Sequence, residues 1–466
     1  MMRLDARELL NIEHVRLQNV DRLRGKRLKG VSTDSRTVRP GDVFFAVKGE
    51  RFDGHAFVAE AFSHGCTAAV VEKRLPRATQ GLDNFPILFV KDSIHALGQF
   101  ARWYRRKFDI PIIAVTGSNG KTTTKEMIAA VLGQEFSVLK TEGNLNNHIG
   151  VPMTLFRLDK KYGAAVVEMG TNHFGELEYL CSVAEPTHGL ITNIARAHLE
   201  FFGSLEGVAR AKGEAFDWLA SRGVGFVNVD DPLVVERAKV LKHRFTYGFG
   251  GKRVNVRGRL LGFNEKVQPR FSFGGYPLSR PLSVQLRTYG KHTAENALAA
   301  AAVGFHFGVR ARKIKSALEK HRPGTKRMEV LRIQSVTILN DTYNANPDSV
   351  RSALQTLAAM ECKGRRIVVV GDMLELGDSS EREHEGVGKE IGRLGFEYVL
   401  TFGKESAATC TESHATHAYH FEEKSALTAY LEKLVEPGDV VLVKGSRGMK
   451  MEDVVIHLTE YLRAKT

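Results

Sequence analysis

A lysine and two threonines follow a short glycine loop at Gly117-Ser118-Asn119-Gly120-Lys121-Thr122-Thr123. Glycines let backbone N–H groups face an anion, and a helix starting there adds partial positive charge. Lys121 can reach terminal phosphates, and the Thr122 hydroxyl can ligate a divalent cation. The chemistry these types allow is nucleotide binding and phosphoryl transfer. The common phosphate loop (G-x-x-x-x-G-K-[ST]) leaves a longer gap between its glycines than Gly117 and Gly120 do here. A bare Gly-Lys-Thr is often only a helix start, so the flanks decide. Ile110 to Thr116 is short, apolar and β-branched and predicts a buried strand. Thr124 to Leu132 carries Met127, Ile128 and Val131 at helical spacing.

Further polar groups fall where other strands should end. Ala164-Ala165-Val166-Val167 runs into Glu168, and Gly189-Leu190-Ile191-Thr192 runs into Asn193 and then His198. Strands alternating with helices make parallel sheets, which bind ligands at the C-terminal ends of their strands. Thr122, Glu168 and His198 together would suit a hard cation. Taken singly, Glu168 could be a helix cap and His198 a satisfied loop histidine. The loop from Thr141 to Pro152 packs Asn144, Asn146 and Asn147 between glycines, which argues for a structured, ligand-facing loop. Nearer the start, Ser32 to Arg36 and Lys48 to His55 form a polar loop cluster able to hold an anionic, hydrogen-bonding ligand, or else ordinary turns.

These groups need a scaffold. A chain of 466 residues implies about three domains. The pattern predicts an α/β protein: a small N-terminal α/β domain over 1–108, a central parallel-sheet phosphate-loop domain over 109–325, and a C-terminal, Rossmann-like doubly wound domain over 326–466. Residues 248–286 read as an antiparallel edge or insert. An Ala-rich helix through Glu295 to Val303 follows, with His292 and Asn296 near its start. The C-terminal domain lacks G-x-G-x-x-G, so its fold alone argues for no dinucleotide. Its polar signals are Asp341 to Pro347, Gly371-Asp372 and Lys444 to Arg447. His384, in Glu-His-Glu, reads as a surface histidine.

The net charge is +14, with positive residues in scattered runs such as Arg102-Arg105-Arg106-Lys107 that read as solvated helix faces. No stripe of aromatics runs between them, so nucleic acid is not the expected partner. Four dispersed cysteines without CxxC fit a reducing compartment and no zinc site. No leader and no membrane-length apolar run is apparent, and a cytoplasmic monomer is expected.

In combination and order, these motifs resemble the Mur ligases of bacterial cell-wall synthesis. The resemblance rests on Thr116 to Thr123, the Asn-rich loop at 143–152, Glu168-Met169-Gly170, Thr192-Asn193-Ile194 with His198, and Lys212-Gly213-Glu214. It covers essentially the whole chain. It implies an ATP-dependent amide ligase in which a carboxylate attacks the γ-phosphate, giving an acyl phosphate and ADP, and an amine then displaces phosphate. Three stretches, Asp341 to Ser349, Gly371 to Gly377 and Val443 to Arg447, are similar to the members that join D-alanyl-D-alanine to UDP-N-acetylmuramoyl-tripeptide.

By that resemblance, Gly117, Ser118, Asn119, Gly120, Lys121, Thr122 and Thr123 cradle ATP, with Lys121 on the γ-phosphate. Thr122, Glu168 and His198 hold Mg²⁺. Lys212 matches the family's carbamylated lysine, which helps place a second Mg²⁺. Asn296, Arg327, Asp341 and Tyr343 clamp the nucleotide. Ser35, Arg36, Gly49, Asp53, Gly54 and His55 form the UDP pocket, and Asn144, Asn146, Asn147, Lys444, Ser446 and Arg447 face substrate. Some positions depart from the family's pattern: His292-Thr293 in place of His-Asn, Gly324-Thr325-Lys326-Arg327 in place of Pro-Gly-Arg, and Ala195-Arg196-Ala197 before His198 in place of Gly-Pro.

Three other readings compete. A ligase adding the third amino acid to UDP-N-acetylmuramoyl-dipeptide would in its diaminopimelate form carry Asp-Asn-Pro-Arg, which is absent. A nucleotide-driven switch would turn over ATP without needing D-alanyl-D-alanine. A nucleic-acid binder would show strong salt dependence on arbitrary DNA.

Overall fold

Runs of aliphatic and β-branched residues set the sheets, and glycines set where the chain turns tightly. The computed structural model describes residues 4–49, 52–72, 84–250, 253–275 and 280–465. These divide into two units: 1–115 with 136–171 and 175–189, and 116–135 with 172–174 and 190–466.

The first unit holds a five-stranded sheet in the order Arg16–Gln18, Ile87–Phe89, Ala68–Val71, Asp42–Phe45, Gly30–Ser32. The first pairing is antiparallel and the rest are parallel. Ala68–Val71 and Asp42–Phe45 are buried at every position, as apolar parallel strands covered on both faces must be. In the same unit Ala164–Glu168 pairs in parallel with Ile112–Thr116 on one side and Val138–Lys140 on the other. The helix Ser93–Arg105 is capped by Asp92, whose carboxylate accepts from the His95 N–H at 2.8 Å.

In the second unit the helix Lys121–Leu132 packs against Lys291–His306. A Cβ on Gly304 would lie 2.5 Å from Val131 Cγ1, so glycine is what lets these two helices approach. Val224–Asn228 and His243–Gly248 run parallel. The ladder of Val256–Phe263, Pro269–Gly274 and Leu282–Gln285 is antiparallel, as the alternating sequence predicts. The last part of the unit is a six-stranded sheet in the order Glu329–Ile333, Val336–Asp341, Val440–Lys444, Arg366–Gly371, Tyr398–Phe402, His417–Phe421. Only the first pairing is antiparallel. Helices Pro347–Ala359, Ser380–Arg393, Lys424–Leu434 and Glu452–Ala464 alternate with these strands, the doubly wound pattern expected from the sequence.

Two sequence expectations are corrected. His384 is not on the surface: it is 1% exposed. Its Nε2 accepts from the Met373 N–H at 3.0 Å and its Nδ1 donates to the Ser380 carbonyl at 2.8 Å. The 102–107 run is a solvated face at Arg102, Arg106 and Lys107, but not at Arg105. Arg105 is buried and donates to the carbonyls of Ala184, Phe108 and Glu185, while Arg102 and Arg106 both reach the Glu185 carboxylate. Glu185, distant in sequence, binds Arg102 and Arg106 through its carboxylate and Arg105 through its carbonyl, while Lys107 pairs with Glu8. The four cysteines are free, Cys66 and Cys181 buried.

Candidate functional site

The glycine loop rests on glycine's backbone freedom and on a second loop. Gly117 has φ +139° and Gly120 has φ +79°, both disfavoured for residues with a Cβ. The segment from Thr192 to Ala195 laces it in place. The Thr192 N–H donates to the Thr116 carbonyl at 2.9 Å, and the Thr192 hydroxyl donates to the Asn119 carbonyl at 2.6 Å. The Ser118 N–H donates to the Asn193 carbonyl at 2.9 Å, and the Asn119 N–H to Asn193 Oδ1 at 3.0 Å. The helix Lys121–Leu132 starts immediately behind, so its first N–H groups border the loop. The Lys121 ammonium folds back over the loop, donating to the Gly117 carbonyl at 2.7 Å and the Ser118 carbonyl at 3.2 Å. Asn296, buried, leans against Gly120: a Cβ there would stand 2.5 Å from its Oδ1.

Basic groups gather around this loop. Lys212 lies on the helix Leu205–Leu219 and is 1% exposed, not at the surface where a plain salt bridge would place it. Burial, and after it the charge of Lys121, holds its proton affinity well below that of an ordinary lysine. Burial also lowers the pKa of His198, with Lys212 and Lys121 acting in the same direction and the Glu375 hydrogen bond opposing them. His198 Nδ1 donates to Glu375 Oε2 at 2.5 Å.

Segments from the C-terminal sheet meet the same loop. The side-chain amides of Asn119 and Asn346 pair reciprocally, at 2.8 and 3.4 Å. Asn346 also caps the helix Pro347–Ala359. Arg327 stacks its guanidinium 3.6 Å from the Tyr343 ring centre. Asp341 accepts from the Met328 N–H at 2.9 Å and from Lys444 Nζ at 2.5 Å. Lys444 is buried and also donates to the Asn344 carbonyl. Ser446 Oγ donates to the Ala345 carbonyl and accepts from the Leu374 N–H, while Arg447 pairs with Glu452.

The other expected residues lie in the first unit. Glu168 ends its strand at 2% exposure, and its carboxylate accepts from Asn146 Nδ2 at 3.0 Å. Asn147 Oδ1 accepts from the N–H groups of Ile149 and Gly150, and Asn144 is exposed. Ser35 is buried. Arg36 is exposed and held by Asp34 through two hydrogen bonds, at 2.9 and 2.7 Å. The Gly49 N–H donates to the Phe52 carbonyl. Gly54 passes so close to Val47 that a Cβ would sit 2.8 Å from its backbone. His55 is buried with both ring nitrogens engaged, Nδ1 donating to Asp53 at 2.6 Å and Nε2 accepting from the Glu72 N–H at 2.8 Å. Glu50 and Arg51, within the same expected pocket, lie outside the described residues.

Sequence reading had not singled out Asn346 and Glu375 as residues that touch the glycine loop's surroundings. Asn346 bore a signal, since an asparagine before Pro347 is a helix cap at a strand end. Glu375 bore none beyond its motif.

A tight glycine loop, a lysine laid over it, and a doubly wound sheet meeting it define a nucleotide-using α/β enzyme. The chain belongs to the Mur ligase family. The Mur ligase middle domain matches residues 115–304, the Mur ligase glutamate ligase domain 326–447, and the Mur ligase family catalytic domain 27–105. Among relatives, UDP-N-acetylmuramoyl-tripeptide--D-alanyl-D-alanine ligase of Escherichia coli (strain K12) is 39% identical over 466 residues, 99% of each chain. The ligase of that name from Bacillus subtilis (strain 168) is 36% identical over 93% of each. A crystal structure of MurF from Acinetobacter baumannii superposes with a TM-score of 0.89 at 33% identity, covering 99% of each chain. MurF ligase of Thermotoga maritima in complex with ADP gives 0.81 at 28% identity, covering 94% of this chain and 98% of that one.

Proposed function

We propose that this enzyme joins D-alanyl-D-alanine to UDP-N-acetylmuramoyl-tripeptide with cleavage of ATP to ADP and phosphate, in peptidoglycan precursor synthesis. The observation that carries the reading is the glycine loop at the start of the helix Lys121–Leu132, with the Lys121 ammonium folded over it. A polyphosphate is the ligand whose charge suits a cationic lysine and a helix N-terminus set side by side. Phosphoryl transfer asks for positioning and charge neutralisation more than for covalent chemistry. The loop N–H groups and Lys121 supply both. The substrate carboxylate takes the γ-phosphoryl group, and the resulting acyl phosphate is opened by the amine of D-alanyl-D-alanine.

Among this chain's residues, Thr122, Glu168 and His198 would hold Mg²⁺, which would help neutralise the triphosphate. A hydroxyl, a carboxylate and an imidazole suit a hard cation that keeps some water. Lys212 supports a second role. A buried lysine with depressed proton affinity offers its neutral amine to carbon dioxide, and formation of the N–C bond with loss of one amine proton to solvent gives an anionic carbamate. An ammonium would repel a cation at that position, whereas a carbamate attracts one. The domain boundaries near 108 and 325, the UDP pocket around Ser35 to His55, and the nucleotide clamp of Asn296, Arg327, Asp341 and Tyr343 belong to the same reading. So does a cytoplasmic site of action; among the described residues no helix is long and apolar enough to cross a membrane.

The test is ADP release measured with each UDP-muramoyl peptide, with and without D-alanyl-D-alanine, in magnesium and bicarbonate. Release should require the tripeptide and the dipeptide amine together, and mass spectrometry should find the pentapeptide product. Turnover indifferent to D-alanyl-D-alanine, or driven by the UDP-dipeptide and a free amino acid, overturns the proposal.

A further inference from the structure

The bond between His198 and Glu375 joins two residues held in uncommon backbone conformations. His198 has φ +57° and Glu375 has φ +63°, in the left-handed region where a Cβ is disfavoured. Such residues persist only where surrounding structure enforces them, and they cluster at functional sites. The enforcement here is visible. The Met373 N–H is fixed by buried His384 at 3.0 Å, and the Leu374 N–H by Ser446 Oγ at 2.8 Å. The Glu375 carbonyl then accepts from the Glu200 N–H at 3.1 Å. Two residues on, Gly377 comes so near that a Cβ would lie 3.0 Å from Glu200 Cα. The 373–377 loop is thus clamped at both ends, one on the C-terminal sheet and one on the turn after His198, with the Glu375 carboxylate delivered to the imidazole between them.

We propose that Glu375 is a positioning residue for His198: its carboxylate accepts a hydrogen bond from Nδ1–H, fixes the ring's tautomer and orientation, and leaves the Nε2 lone pair for a divalent cation. A carboxylate can only accept, so the proton in this contact resides on Nδ1. Orienting carboxylates of this kind recur behind metal-bound histidines, and losing one costs roughly 10- to 100-fold in metal affinity or activity. Because Glu375 comes from the C-terminal sheet and His198 from the glycine-loop side, the histidine is set only when these two parts of the unit are together. The inference rests on the reading of His198 as a cation ligand.

The test uses the full chain with ADP and Mn²⁺, whose binding is followed by electron paramagnetic resonance. Glu375→Ala should weaken Mn²⁺ binding in the ADP complex roughly 10- to 100-fold. Glu375→Gln, whose Oε1 still accepts from Nδ1, should recover most of it. Nitrogen NMR of the unsubstituted protein should find the His198 ring protonated at Nδ1 alone, a readout that depends on no variant folding. Wild-type Mn²⁺ affinity in Glu375→Ala, with affinity lost in His198→Ala, overturns the positioning role and leaves the cation reading standing. Wild-type affinity in His198→Ala overturns the cation reading and the inference with it. A proton on Nε2 overturns the inference directly.

Discussion

Replacing Gly117 by alanine tests whether the glycine loop is held as tightly as its contacts say. The new Cβ would stand 1.9 Å from Thr192 Oγ1 and 3.0 Å from the Thr192 backbone nitrogen. Thr192 cannot swing aside cheaply, because its hydroxyl donates to the Asn119 carbonyl at 2.6 Å and its N–H to the Thr116 carbonyl at 2.9 Å. Two costs add. The strained backbone at φ +139° costs about 1–3 kcal/mol once a Cβ is present. Forcing a methyl into filled space costs about 1–3 kcal/mol. Together that is about 2–6 kcal/mol. If the loop stays in place, the loss appears in urea unfolding. If it yields locally, the loss appears in ADP binding, where each ~1.4 kcal/mol is tenfold, so roughly 30-fold to 10⁴-fold in Kd. Gly308→Ala is the control: its φ is +72° with no atom within 4 Å of the built Cβ. It should cost only the backbone part, about 1–2 kcal/mol, and leave ADP affinity unchanged. Wild-type unfolding and wild-type ADP affinity in Gly117→Ala, measured by calorimetry alongside that control, refute the steric argument.

Lys444→Met should destabilise the chain by about 3–5 kcal/mol in urea, because it leaves the Asp341 carboxylate without its buried partner; a loss below ~1 kcal/mol would contradict the pairing. Lys212→Arg, which cannot form a carbamate, should lower kcat by roughly 100- to 1000-fold in a phosphate-release assay, and purging carbon dioxide and bicarbonate should slow the unsubstituted enzyme but not the variant. Burial depresses the pKa of His306, which is ringed by Phe226, Phe245 and Phe307. An unfolded histidine titrates near about 6.5, so below that pH the unfolded chain takes up a proton the folded chain resists, and stability falls as pH drops from about 6.5 toward the folded pKa. His306→Phe should flatten part of that acid loss, and an unchanged slope of stability against pH would exclude His306 from it.

How far the sequence could be read depended on the range of the interactions. The strand Ile112–Thr116, the helix Lys121–Leu132 and the alternating ladder from Val256 to Gln285 were legible because their signals are local: β-branched runs, helical spacing, alternation. The strands Glu329–Ile333 and His417–Phe421 were not, since each is only half-buried at a sheet edge and mixes charged or histidine residues among its apolar ones. The contacts that close the site lie beyond any window. Asn119 and Asn346 are 227 residues apart, and His198 and Glu375 are 177 apart. His384 misled for a related reason: flanking glutamates advertise a wet surface, but the Met373 N–H and the Ser380 carbonyl satisfy both ring nitrogens and allow burial. His55 shows the converse. Its loop was legible as a polar cluster, yet nothing local reveals that both its nitrogens are committed to Asp53 and Glu72.

Arg196, which stands where the family's usual pattern is Gly-Pro, offers a case in which the conspicuous charge should matter less than its backbone. Its guanidinium lies 3.4 Å from Glu383 and is 43% exposed, and Glu383 also has Arg351 at 3.4 Å and Arg382 at 3.7 Å. Such a part-solvated pair is worth at most ~1 kcal/mol, and two arginines remain to satisfy the buried carboxylate when Arg196 is cut back. The Arg196 N–H, by contrast, donates to Asp348 Oδ2 at 3.0 Å, and no side-chain substitution at 196 short of proline removes it. Asp348 is also the acid in the first turn of Pro347–Ala359, where it meets the positive end of the helix. Asp348→Ala therefore strands a backbone donor, costing about 1–3 kcal/mol, and forgoes a helix-end interaction of about 0.3–1 kcal/mol. In urea unfolding Asp348→Ala should fall below Arg196→Ala by ~1–3 kcal/mol, and ADP affinity should weaken in the same order because Asn346, two residues earlier, pairs with Asn119 of the glycine loop. The reverse order, Arg196→Ala the more damaging, would mean that the charge network and not the backbone bond holds the C-terminal sheet to the loop.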